Sequence, residues 1–192
     1  MGKAKKTLLR LISTYEIINR QIESMKKQLL LILILGLTSL NLFSQNENPY
    51  RQEFDLKLPV DGEQYYQQKV VKSPYFVKDK ILQIYPGEKL FIEIVRTKNS
   101  IDSMKVVKEN INPNKTIIVE LTQNVKDRKS ESMILKVVNP FDKDLEYKAM
   151  MYIVGHNKWI QTNVIPVKSR LTGYETWSDV IITLVLSDWK LN

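Results

Sequence analysis

Three alternating acids stand in Pro140-Phe141-Asp142-Lys143-Asp144-Leu145-Glu146. Oxygen ligands at that spacing can chelate calcium, but a helix-loop-helix calcium site also needs a glycine at the sixth position and a bidentate glutamate at the twelfth. Counting from Asp142, those positions hold Tyr147 and Ile153. The run therefore reads as a solvated corner whose aspartates bond local backbone. His156, the one histidine, sits in Gly155-His156-Asn157-Lys158, a turn composition, and the chain has no cysteine. Zinc coordination by nitrogen and sulfur ligands has nothing to build on. No metal and no cofactor is expected.

Acid–base catalysis by paired carboxylates is open to any chain with acids, because their separation in sequence is unconstrained. The acids in the most apolar settings, Glu93 and Glu120, occupy the polar phase of alternating runs. No nucleophile elbow, phosphate loop or dinucleotide fingerprint is present. Aromatic side chains remain. Tyr174 and Trp177 lie in Leu171-Thr172-Gly173-Tyr174-Glu175-Thr176-Trp177, read as a loop entering the last strand, and Trp159 opens the strand after the 155–158 turn. Such residues stack on sugars or fill a partner's pocket with high energy per residue. Tyr174, Trp177 and Trp159 are thus the candidate ligand-binding residues, and the competing expectation is that they plug the open ends of a sandwich.

The elements that would position them are strands. Phe54, Leu56 and Leu58 alternate before Pro59, and Tyr65 to Val71 reads equally as a short strand or extended loop. Ile81 to Ile84 and Leu90 to Ile94 flank Pro86-Gly87-Glu88, which suits a type II turn. Further runs follow at Met104–Val107, Ile117–Leu121, Met133–Val137, Leu145–Ile153 and Trp159–Val167. Gln123–Ser130 and Lys168–Glu175 read as loops. Val180–Leu186 is almost wholly apolar, as a strand buried on both faces is. Short β-branched runs separated by turn chemistry indicate a sandwich or barrel. The stretch Met133-Ile134-Leu135-Lys136-Val137-Val138-Asn139-Pro140, followed by Leu145-Glu146-Tyr147, resembles the immunoglobulin-like β-sandwich domains of exported proteins: an alternating strand, an Asn-containing corner and a strand in the opposing sheet. The cysteine pair and companion tryptophan of antibody domains are missing, so the resemblance implies architecture and transfers no functional residue.

Upstream, Met25-Lys26-Lys27 begins a run with apolar residues from Leu29 to Leu37 and a polar stretch ending near Ser44. A basic start, an apolar centre of about 7–15 residues and a small-residue end make a secretory signal peptide, shorter than a membrane span. Met25 then reads as the initiator and residues 1–24 as the product of an early-assigned start. The alternative is a cytosolic extension on an uncleaved anchor, with Leu8, Leu11, Ile12, Tyr15, Ile18 and Ile22 at helical spacing. Lipoprotein processing has no cysteine to acylate. The chain's net charge of +8 falls to +3 over residues 46–192, which hold 22 basic and 19 acidic residues. Nucleic-acid binding needs a concentrated basic face, and none is evident.

The chain is accordingly expected to be all-β, an immunoglobulin-like antiparallel β-sandwich preceded by a helical signal segment. Its expected divisions are 1–24 (upstream extension), 25–45 (signal peptide), 46–79 (N-terminal arm or edge strands) and 80–192 (sandwich). The expected function is an exported, periplasmic or extracellular, non-enzymatic domain that binds a protein or glycan at the cell envelope, meeting a membrane only through its signal segment. The alternatives are a carboxylate-dependent hydrolase of polysaccharide or peptidoglycan, and an envelope protein held by an uncleaved segment. N-terminal sequencing of the exported chain separates a cleaved leader from an anchor: a first residue near Gln45 is expected, and retention of residues 1–44 would support the anchor.

Overall fold

The computed structural model describes residues 25–28, 46–98 and 100–192. The expectations for 1–24 and 29–45 lie outside the described residues; 25–28 is helical. Among the described residues no helix is long and apolar enough to cross a membrane. Residues 46–192 form one compact unit.

Its strands in chain order are β1 (Tyr50–Arg51), β2 (Phe54–Pro59), β3 (Tyr65–Val70), β4 (Ser73–Pro74), β5 (Phe76–Lys78), β6 (Ile81–Ile84), β7 (Lys89–Thr97), β8 (Ser100–Val107), β9 (Thr116–Lys126), β10 (Lys129–Val138), β11 (Leu145–Ile153), β12 (Ile160–Thr162), β13 (Thr172–Trp177) and β14 (Ile181–Leu191), with a short 3₁₀ turn at Pro113–Lys115. Two five-stranded antiparallel sheets, ordered β13-β10-β9-β7-β8 and β12-β11-β14-β6-β5, make an all-β sandwich.

The core follows from period-two alternation, since successive side chains on a strand point to opposite faces. Ile117, Val119 and Leu121 of β9, Met133, Leu135 and Val137 of β10, and Leu90, Ile92 and Ile94 of β7 are buried from the first sheet. Leu82 and Ile84 of β6, Ala149 and Met151 of β11, and Leu184 and Leu186 of β14 join them from the second. The Pro86-Gly87 turn forms with Glu88 N–H donating to Tyr85 O at 3.1 Å and Gly87 at φ +93°. It joins strands of different sheets, so it is a corner of the sandwich and not a hairpin.

The N-terminal segment builds a second cluster. Leu56, Leu58 and Val70 of the β2–β3 hairpin pack on Val180 and Ile182, with Phe54, Tyr66, Tyr85 and Tyr152 around them. The hairpin therefore covers the outer face of β14, whose inner face lies in the main core. That is the physical reason the run from Val180 to Leu186 is apolar at nearly every position. Its one polar member, Thr183, is buried and donates its hydroxyl to Ile84 O at 2.9 Å.

Three expectations are corrected. Gln123–Ser130 is not a loop: β9 runs to Lys126, β10 begins at Lys129, and Asp127-Arg128 turns between them with φ +49° and +61°. Positive φ at both central residues is the type I′ hairpin, usually marked by Asn-Gly or Asp-Gly, and an arginine in the second place hides the signal. Lys168–Glu175 is not a loop throughout, because Thr172–Trp177 pairs with β10 over six residues. The Trp159–Val167 strand shrinks to Ile160–Thr162, with Val167 bridging Leu145 on its own.

Leu56 is 3% exposed in the second cluster. Leu56→Ala should lower unfolding stability by about 2–5 kcal/mol, the usual cost of such a cavity, read as an earlier midpoint in urea denaturation.

Candidate functional site

The most heavily built polar site is the setting of Arg51, 1% exposed at the end of β1. A guanidinium carries five N–H donors, and each finds an acceptor. Nε meets Glu88 Oε1 at 2.9 Å, Nη1 meets Ser73 Oγ at 3.1 Å and Pro74 O at 3.3 Å, and Nη2 meets Gln83 O at 2.6 Å and Glu88 Oε2 at 3.3 Å. The rings of Tyr75 and Tyr85 lie 4.8 and 4.9 Å from the guanidinium carbon. Cation–π attraction strengthens when the cation is desolvated, as it is here. Burial pushes both phenols above their ordinary pKa, and the Arg51 charge opposes that rise. Glu88 Oε2 also accepts the Tyr85 N–H at 2.8 Å, so the carboxylate closes the same corner turn that Gly87 shapes. A depression of about 410 Å³ opens beside these groups. With every Arg51 donor occupied, the arginine is a clasp between the N-terminal arm and the β6–β7 corner and has nothing left for an anion.

A second polar cluster sits at the β10–β11 corner. Asn139, 1% exposed, donates from Nδ2 to Lys143 O (2.7 Å), Val167 O (2.9 Å) and Lys168 O (3.2 Å), while its Oδ1 accepts the Phe141 N–H at 3.0 Å. Its neighbours Asp142 and Asp144 are the alternating acids of the sequence. Asp142 accepts from Arg96 Nη2 at 3.2 Å. Asp144 accepts from Lys168 Nζ at 2.7 Å and from the Ser169 N–H at 3.0 Å. A bond from its own backbone N–H, then Arg96, holds Asp142 below the usual carboxylate range. Lys168, then the Ser169 N–H, does the same for Asp144. Among the described residues no group of three or more His, Cys, Asp or Glu side chains could hold a metal.

The aromatic candidates are placed on different faces. Tyr174 is 62% exposed on the outer face of β13, not in a loop. Trp177, on the opposite face of the same strand, packs against the main core and donates Nε1–H to Thr162 Oγ1 at 3.0 Å. Trp159 is 41% exposed and stacks on Tyr152 at 5.4 Å, beside the second cluster on the other sheet. The structure does not bring the three together. Trp189, two residues before the end of β14, is buried, with Nε1–H on Lys80 O at 3.0 Å and its ring 5.1 Å from Tyr147. Two further exposed apolar residues flank β13 itself: Leu171 just before it, and Ile165, whose N–H is held by Glu175 Oε1 at 2.6 Å. Arg51 and Glu88 escaped the sequence reading because 37 residues separate them; the only signal was Glu88 directly after a Pro-Gly turn.

Compared with known proteins, the chain matches no family model, no curated protein and no solved structure.

Replacing Arg51 by Met removes a buried cation and leaves Glu88, largely buried, without its partner. Breaking one side of such a pair typically costs about 3–5 kcal/mol. Arg51→Met should show that loss in chemical denaturation, and the double variant Arg51→Met/Glu88→Gln should recover part of it.

Proposed function

We propose that this chain is an exported, non-enzymatic β-sandwich of immunoglobulin-like topology that binds a protein or glycan at the cell envelope. The observation that carries the reading is Tyr174: a large aromatic, exposed on a strand whose inner face is locked into the core by Trp177. An aromatic held out from a rigid scaffold loses little conformational entropy on binding and supplies a large contact area.

The immunoglobulin-like topology draws support from the chain's crossings between sheets at β6–β7, β10–β11, β12–β13 and β13–β14, and from the buried asparagine at the β10–β11 corner. The non-enzymatic reading draws support from the partners of the acids that line depressions: Glu88 is bound by Arg51, Glu53 by Lys69, Asp142 by Arg96 and Glu93 by Asn112. A general acid or base has to be free to exchange a proton with substrate. Export rests on the basic and apolar run at 25–45.

Binding of the purified chain to isolated envelope fractions and to purified peptidoglycan tests the proposal. Tyr174→Ala should weaken that binding about tenfold or more, as the loss of an aromatic anchor does, with melting temperature unchanged. Equal binding by the variant, or none by the wild type to any envelope fraction, would remove the site.

A further inference from the structure

A sheet edge offers unpaired N–H and C=O groups, and natural proteins block such edges with short strands, lysines, prolines, bulges or covering segments. The outer edges of the two five-stranded sheets are β13, β8, β12 and β5. β12 and β5 have three residues each, and β5 carries a register shift between Phe76 and Lys78. β8 is covered at its two ends, where Asn48 N–H donates to Val106 O at 2.8 Å, Lys108 N–H to Asn46 O at 2.7 Å and Lys80 Nζ to Ile101 O at 2.6 Å, and it carries Lys105 and a register shift against β7. Among the described residues β13 has none of these devices. Its six residues pair with β10 without a register shift, and they include no lysine and no proline.

The direction of its free groups follows from the ladder. In an antiparallel pair the N–H and C=O of one residue point to the same side and alternate along the strand. Asn139 N–H donates to Leu171 O at 3.0 Å, which turns residue 171 towards β10 and residue 172 away. The other side of the sheet agrees. Leu121 exchanges bonds with Gly87 and Glu88 on the β7 side, so its β10 partner Leu135 faces β13, and Glu175, paired with Leu135, faces inward. Thr172, Tyr174 and Thr176 therefore direct their backbone groups outward, and the described chain supplies no partner for them.

That outward series is palindromic: Thr, Tyr, Thr. We propose that β13 pairs antiparallel with β13 of a second copy of this chain, about a two-fold axis at Tyr174, joining the two β13-edged sheets into one. Tyr174 then faces its own copy, and Thr172 faces Thr176 of the second copy. Aromatic pairs and Thr–Thr pairs are among the favourable cross-strand neighbours. The alternate positions place Glu175 opposite Gly173 of the second copy, so no like charges meet on β13. A two-fold interface demands such self-complementarity, and here a single six-residue strand provides it. The pairing goes beyond the recognition reading and needs no envelope ligand.

The chain has no cysteine, so single-cysteine variants report the pairing cleanly. Directly opposed residues in this ladder have Cα atoms about 5.5 Å apart, within disulfide reach. In the full-length chain, mild oxidation of Tyr174→Cys should shift the band on a non-reducing gel from monomer to dimer. Thr172→Cys mixed with Thr176→Cys should give the cross-linked heterodimer, while each alone stays monomeric. Met150→Cys, exposed on the other sheet, reports random collision. No dimer from Tyr174→Cys, a yield no higher than that of Met150→Cys, or equal cross-linking of Thr172→Cys with itself would each overturn the proposal. Because no ligand is present, failure here leaves the envelope-binding measurement to be read independently.

Discussion

A saturated guanidinium holds the two parts of this fold together. Arg51 bonds Gln83 and Glu88 at the β6–β7 corner and Ser73 and Pro74 of β4, leaving no donor free, with two tyrosine rings beside its guanidinium. What it secures is the N-terminal segment, and that segment is what keeps β14 dry on its outer face through Leu56, Leu58 and Val70. A cysteine-free domain has no covalent staple, so its peripheral hairpin must be kept in place by such contacts alone. A buried ion pair is a poor source of net stability but a strong one of geometry, because misplacing either partner leaves an uncompensated charge.

The same segment does a second task. Residues 46–48 bond the outer side of β8 at its C-terminal end and so close that part of the first sheet's edge. With β12 and β5 short, β13 is the one long edge left unblocked among the described residues. Two features that look unrelated in sequence, an arm rich in asparagine and a Thr-Gly-Tyr-Glu-Thr-Trp run, are thus complementary: one edge is shut by the chain itself and the other is left open. On the open side, Trp177 and Val167 anchor the strand from within. A Cβ at Gly173 would come within 2.7 Å of Val167 Cγ2, so glycine there allows the 163–170 segment to close beneath β13.

Much of the fold was legible. Period-two alternation marked β7, β9, β10 and β11, and the continuous apolar run marked β14, because each signal arises from which faces water touches. β13 was not legible, since only Gly173 and Trp177 of its inward positions lack charge and its outward positions are Thr and Tyr; its strand state comes from pairing with β10. The Asp127-Arg128 turn was hidden for a related reason, as neighbouring strand pairing imposes positive φ on residues that do not advertise it. Asn139 was legible as a corner, but its bonds to Val167 and Lys168 are contacts across 28 and 29 positions that no local pattern encodes.

The amino-acid sequence by itself determined an all-β chain, the phase of burial along its main strands, the absence of any thiol chemistry and the near balance of charge beyond residue 45. Local side-chain periodicity and composition suffice for those. Only the tertiary structure decided that the tyrosine and tryptophans singled out for binding point to separate faces, that Arg51 and Glu88 meet, and that β13 is the edge left open. These depend on long-range register, where shifting a strand by one residue exchanges its faces, and register is a property of the assembled sheets.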